Sequence, residues 1–82
     1  MLKNIVLISV QKRNFVSVQV QEVLTEFGCL IKTRLGIHGA DAKSCSEKGL
    51  IILECVGPGK KISSLVKKLA SIKGVNAKLT AI

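Results

Sequence analysis

Tyrosine and tryptophan are absent from this chain of 82 residues, and its two aromatic residues, Phe15 and Phe27, flank a single segment. An RNA-recognition sheet stacks bases on aromatics exposed along its central strands. The segments that read as central strands here carry none, which argues against that class. Cysteine is scarce as well: Cys29, Cys45 and Cys55 are odd in number, widely spaced and without a CxxC. Neither a secreted disulfide framework nor a structural zinc site is expected. A heavy-metal transfer domain would place CxxC after its first strand, where this chain has Gln11-Lys12-Arg13-Asn14. One histidine, His38, and five acids scattered over different segments offer no nucleophilic triad and no acid/base pair. A metal site needs three or four converging ligands. No metal, no cofactor and no catalysis are therefore expected; Cys29 and Cys55 read as core or near-core residues and His38 as a loop residue. No apolar run approaches the roughly 20 residues of a transmembrane helix. The first residues also lack the longer apolar core and cleavage site of a secretory signal. The expectation is a reduced, cytoplasmic protein.

What is plentiful is aliphatic. Apolar residues make up 48% of the chain and the mean hydropathy is +0.42. A chain this short buries only about 60% of its unfolded surface and often needs a disulfide, a metal or an oligomer for support. With the first two excluded, self-association remains. The net charge is +8, unevenly spread: residues 49–82 hold six lysines against Glu54, and residues 1–48 hold seven Lys or Arg against four acids. Such a balance raises nucleic acid as a partner. Solubility cover for an apolar chain is the simpler reading.

Along the chain, Asn4–Gln11 is a short β-branched run of the kind buried on both faces. Apolar positions then recur at helical spacing from Phe15 to Phe27 (Val16, Val20, Val23, Leu24), with Asn14 or Ser17 as candidate caps and Gly28 where the helix would turn. Cys29–Ile37 alternates, with Ile31, Thr33 and Leu35 on one side and Lys32 and Arg34 on the other. His38–Lys48 is small, polar and aperiodic, hence a loop. Leu50–Val56 is a second fully apolar strand, stopped by Gly57-Pro58-Gly59. Lys60–Lys73 is helical by its Ile62, Leu65, Val66, Leu69 and Ile72 stripe; Gly74 ends it, and Val75–Ile82 alternates again.

Strand-helix-strand thus occurs twice. Two such units interleaved give an α+β, ferredoxin-like antiparallel sheet of order 4-1-3-2, with both helices on one face. The whole chain is one such domain. The first and third strands, central in this arrangement, are apolar on both sides, and the outer two carry Lys32, Arg34 and Lys78, charges suited to edges. Two helices cover one face only. The apolar residues of the other face mark an interface, and pairing with another copy is the economical cover.

The stretch Gln21-Glu22-Val23-Leu24-Thr25-Glu26-Phe27-Gly28, followed by Ile31-Lys32-Thr33-Arg34-Leu35-Gly36, resembles the iron-only hydrogenase system regulators, a family of small stand-alone proteins. The resemblance continues through Gly49-Leu50-Ile51-Ile52-Leu53-Glu54 and covers nearly the whole chain. It implies an ACT-like domain, related in fold to the ligand-binding part of the nickel-responsive repressor, that forms dimers and often tetramers. Two departures stand out. Amino-acid-binding ACT domains usually have a glycine in the turn after the first strand, and Lys12-Arg13-Asn14 has none. The nickel repressor uses several histidines and a cysteine, and this chain has His38 alone with scattered cysteines.

The leading expectation is a non-enzymatic regulatory or sensor domain that binds a small ligand in clefts between subunits. The candidate ligand residues are Lys12, Arg13 and Asn14 in the first turn and Arg34, Gly36, Ile37 and His38 at the end of the second strand. Gly59, Lys60 and Lys61, at the start of the second helix, form a candidate anion site, where backbone N–H groups and the dipole favour negative charge; a turn followed by solvated lysines is the plainer reading. The alternatives are nucleic-acid binding through the lysine-rich second helix and a scaffold subunit without ligand.

Overall fold

Strand β1 (Asn4–Val10) is followed by helix α1 (Arg13–Glu26), one turn of 3-10 helix (Gly28–Leu30), strand β2 (Ile31–Ala40), strand β3 (Cys45–Cys55), helix α2 (Gly59–Ala70) and strand β4 (Val75–Ala81). These come from a computed structural model that describes residues 3–11, 13–40 and 45–82, with side chains described except at 13–15, 38–40 and 45–48. The strands form one antiparallel sheet of order β2-β3-β1-β4, the expected ferredoxin-like order seen from its other edge.

Register explains where the core sits. Val6, Ile8 and Val10 of β1 lie beside Leu53, Ile51 and Gly49 of β3 and beside Leu79, Ala77 and Val75 of β4. Onto this face α1 lowers Val20, Val23 and Leu24, and α2 lowers Ile62, Leu65 and Leu69, all buried. The spacings of three and four residues within each helix make one stripe. Each fully covered Leu, Ile or Val contributes about 1.5–3 kcal/mol, so this layer is the main support of the fold. Cys55 lies in it, and burial pushes its thiol above the ordinary range. Outside the core, Lys68 on α2 donates to Glu26 at the end of α1 at 2.7 Å; an exposed pair like this contributes about 1 kcal/mol at most.

Several expectations need correction. The loop expected over His38–Lys48 is largely strand: β2 runs to Ala40 and β3 starts at Cys45. These ends outrun the seven-residue β1 and β4, so their pairing rests on the backbone ladder and leaves no hydrophobic period. Gly28 does not turn α1 out in a left-handed conformation. The described glycines with positive φ are Gly57 (111°) and Gly74 (86°), in the turns before α2 and β4. Neither Asn14 nor Ser17 caps α1, since the helix is already under way at Arg13. Cys29 lies in the 3-10 turn and is exposed rather than near the core.

The largest correction is in β2. The pairing shifts between Ile31, opposite Cys55, and Thr33, opposite Glu54. Lys32 is the extra residue of a β-bulge, and such a residue changes which side the following side chains occupy. Ile31 therefore shares the helix-covered face with Arg34 and Gly36, whereas Thr33, Leu35 and Ile37 share the open face. The alternation expected for Ile31, Thr33 and Leu35 holds only from Thr33 onward.

The open face carries Ile5 and Leu7 of β1, Leu50 and Ile52 of β3 and Leu35 and Ile37 of β2 as adjoining residues. Leu35 is 52% exposed, Ile37 45% and Leu50 38%. Lys78, Asn76 and Thr80 of β4 border this apolar field on one side. A loose Lys32–Glu54 ion pair at 3.9 Å lies toward one end.

Candidate functional site

The two helices leave part of their own side of the sheet bare. Beside α1, over the edge strand β2 and its neighbour β3, lies a cleft of about 330 Å3. Its floor is open because glycine recurs there: Gly36 pairs with Ile51, and Gly49 lies between Val10 and His38. A Cβ added to Gly36 would meet nothing within 4 Å. Val10, Val20 and Ile51 give the cleft apolar walls; Ile37 and Leu50 border it too, although their side chains belong to the open face. Ser17 and Gln21 face it from α1, and Arg34 reaches it from β2.

Arg34 is there because of the bulge. Had the strand kept simple alternation from Ile31, its side chain would lie on the open face. Instead its Nη2 donates to Gln21 Oε1 at 2.7 Å. Gln21 in turn donates to Thr25 Oγ1, one helical turn on, at 3.4 Å. The guanidinium is thus held at the cleft mouth by a neutral acceptor. The described ion pairs, Lys32–Glu54 and Lys68–Glu26, do not involve it.

Of the expected ligand residues, Arg34, Gly36 and Ile37 line this cleft. His38 belongs to β2 beside Gly49, but its side chain lies outside the described residues. Arg13 and Asn14 open α1, at the same end of the sheet as Gly49; Lys12 lies outside the described residues, as do the side chains of Arg13 and Asn14. Ser17, Gln21 and Gly49 were not foreseen. Their signal was faint: both α1 residues sit on the polar side of a helical pattern, and their meaning depends on a bulge that no spacing announces.

The candidate anion site is elsewhere. Gly59, Lys60 and Lys61 begin α2 and are exposed. The helix starts at the end of the sheet marked by Cys55, Asn4 and Ile31, opposite the end marked by Val10 and Gly49. Its cap, Pro58, contributes no side-chain hydrogen bond, and no acid stands in the first turn. Among the described residues no three His, Cys, Asp or Glu come together as a metal site, and no helix is long and apolar enough to cross a membrane.

Several solved structures share this fold. The uncharacterized protein TM1266 from Thermotoga maritima superposes with a TM-score of 0.83 at 28% identity, covering 98% of this chain and 95% of that one. CPII, a nitrogen regulatory PII-like protein from Thiomonas intermedia K12, solved with ADP, AMP and bicarbonate, gives 0.67 at 11% identity over 100% of this chain and 91% of its own. The ACT domain of the GTP pyrophosphokinase of Chlorobium tepidum gives 0.64 at 21% identity, covering 98% and 97%. The latter two likenesses speak to fold alone, and they place the architecture with ACT and PII-like domains. No curated protein matches in sequence. A family model described as "TM1266-like: Iron-only hydrogenase system regulator, putative" matches residues 3–79. With nearly its whole length matched, the chain belongs to that TM1266-like family.

Proposed function

We propose that this chain is a non-enzymatic regulatory domain of the iron-only hydrogenase system, that it assembles with copies of itself through its open sheet face, and that it binds a small ligand. The carrying observation is the apolar field of Ile5, Leu7, Leu35, Ile37, Leu50 and Ile52 on a face that no helix covers. A domain of this size gains much from covering such a surface. Family membership supports the regulatory role, and the cleft beside α1 supports the ligand. Sedimentation equilibrium of the intact chain is expected to give a dimer or tetramer at micromolar concentration; a strict monomer would remove the reading's main support.

Lys60, Lys61, Lys67 and Lys73, exposed on and just after α2, favour a second reading as a nucleic-acid-binding surface. Binding of that kind rests on phosphate contacts and weakens linearly in log salt. Retention on DNA near physiological ionic strength would favour this second reading; a regulatory sensor of small ligands is expected to show none.

A further inference from the structure

We infer that the cleft between α1 and the β2–β3 hairpin binds a small carboxylic acid with an apolar body and no ammonium group. This rests on the reading of the chain as a domain that takes a small ligand, and it names the class. At about 330 Å3 the cleft is near the lower end of ligand pockets, which run roughly 300–1,000 Å3. Its walls, from Val10, Val20 and Ile51, favour a hydrocarbon body, and the missing side chains of Gly36 and Gly49 supply the room.

The polar end follows from Arg34. It is the charged side chain among those described in the lining. A guanidinium carries five N–H donors in a planar fork that matches a carboxylate through two parallel bonds. One donor is engaged by Gln21 Oε1 at 2.7 Å, which orients the group and leaves donors for a ligand. The Ser17 hydroxyl lies in the same lining and can donate as well. Among the described lining residues, one cation balances one carboxylate.

The same inventory argues against two neighbouring classes. An α-amino acid brings an ammonium group, and no carboxylate is among the described lining residues to receive it; Glu22 belongs to a shallower hollow on the outer side of α1. Covering an ammonium without a partner is unfavourable. A phosphate monoester brings up to two charges and three acceptor oxygens, and among the described lining side chains Arg34 alone carries charge to meet them.

A matched set of six-carbon probes separates these classes: hexanoate, hexan-1-ol, 2-aminohexanoate and hexyl phosphate, with benzoate as a broader acid. Each is titrated into the intact chain while the amide NMR spectrum is recorded. Hexanoate or benzoate is expected to move the amides of Val20, Gln21, Gly36 and Ile51, and to bind at least about tenfold more tightly than the alcohol, the amino acid or the phosphate. Arg34→Gln should weaken the acid by about tenfold or more. Gly36→Val should abolish binding while the rest of the spectrum stays in place, because the added side chain enters open space on a strand. The inference is overturned if Arg34→Gln or Gly36→Val leaves acid binding unchanged, or if the alcohol, amino acid or phosphate binds these amides equally well. In the latter case a small-ligand domain survives with the wrong class assigned. Should no probe disturb the cleft at millimolar concentration, both the class and the cleft as ligand site fall.

Discussion

Replacing Leu35 by lysine tests the assembly surface directly. Leu35 sits on the open face beside Ile52 of β3 and is 52% exposed, so it contributes little to the folded subunit and much to anything laid on that face. Full burial of a leucine or isoleucine is worth about 1.5–3 kcal/mol, so covering what remains exposed of Leu35, Ile37 and Leu50 yields about 1 kcal/mol apiece. A symmetric pair gains about 6 kcal/mol from these three positions, comparable with the lower end of the roughly 4–15 kcal/mol cost of association. The half-buried Ile5, Leu7 and Ile52 then tip the balance, and assembly should be sensitive to single changes. Leu35→Lys removes about 2 kcal/mol per pair, about thirtyfold in dissociation constant, before counting the penalty of covering two ammonium groups. The subunit itself should change by no more than about 0.5 kcal/mol, as at other surface positions. Leu79→Lys is the matched control: Leu79 is 36% exposed, but on the helix side of β4. Sedimentation velocity over the micromolar range should show Leu35→Lys dissociating and Leu79→Lys assembling like the parent chain. Equal behaviour of the two variants would refute the assignment of the open face.

Three other outcomes follow from packing and backbone geometry. Leu65, fully buried in the α2 stripe, should lose about 2–5 kcal/mol on change to alanine, read as a lower urea midpoint at unchanged slope. Gly57→Ala should cost about 1–3 kcal/mol, since φ is 111° and the new Cβ would stand 3.0 Å from Leu30 Cδ2; Gly36→Ala, in open space, is the near-neutral comparison. Burial raises the Cys55 thiol, so the folded chain keeps a proton that the unfolded chain releases above the ordinary value of 9.0. Stability should thus be flat with pH below that value and fall as pH rises beyond it, with a smaller fall in Cys55→Ala; an identical alkaline slope in both proteins would count against the assignment.

The pattern of β1, α1, β3 and α2 was legible because each buries a regular stripe or an unbroken aliphatic run. Even the sheet order could be read, from which strands were apolar on both sides. The polar ends of β2 and β3 escaped because His38–Ala40 and Cys45–Lys48 carry no alternating apolar pattern, although their backbone runs on as strand. The cleft was half legible. Arg34, Gly36 and Ile37 were singled out, yet the partners Ser17 and Gln21 and the role of Gly49 depend on three-dimensional register. Lys32 looks like any edge lysine in the sequence, and nothing in its neighbours marks it as a bulge.

That one residue divides β2 into two independent channels of variation. Thr33 and Leu35 address whatever lies across the open face, whereas Arg34 and Gly36 address the cleft. Substitutions can therefore retune either task while sparing the other. Removing Lys32 would leave Ile31 and Thr33 consecutive opposite Cys55 and Glu54, so both sets would keep their faces; drawing Lys32 into a regular ladder is what would exchange them, setting Arg34 against the apolar field and Leu35 into the cleft.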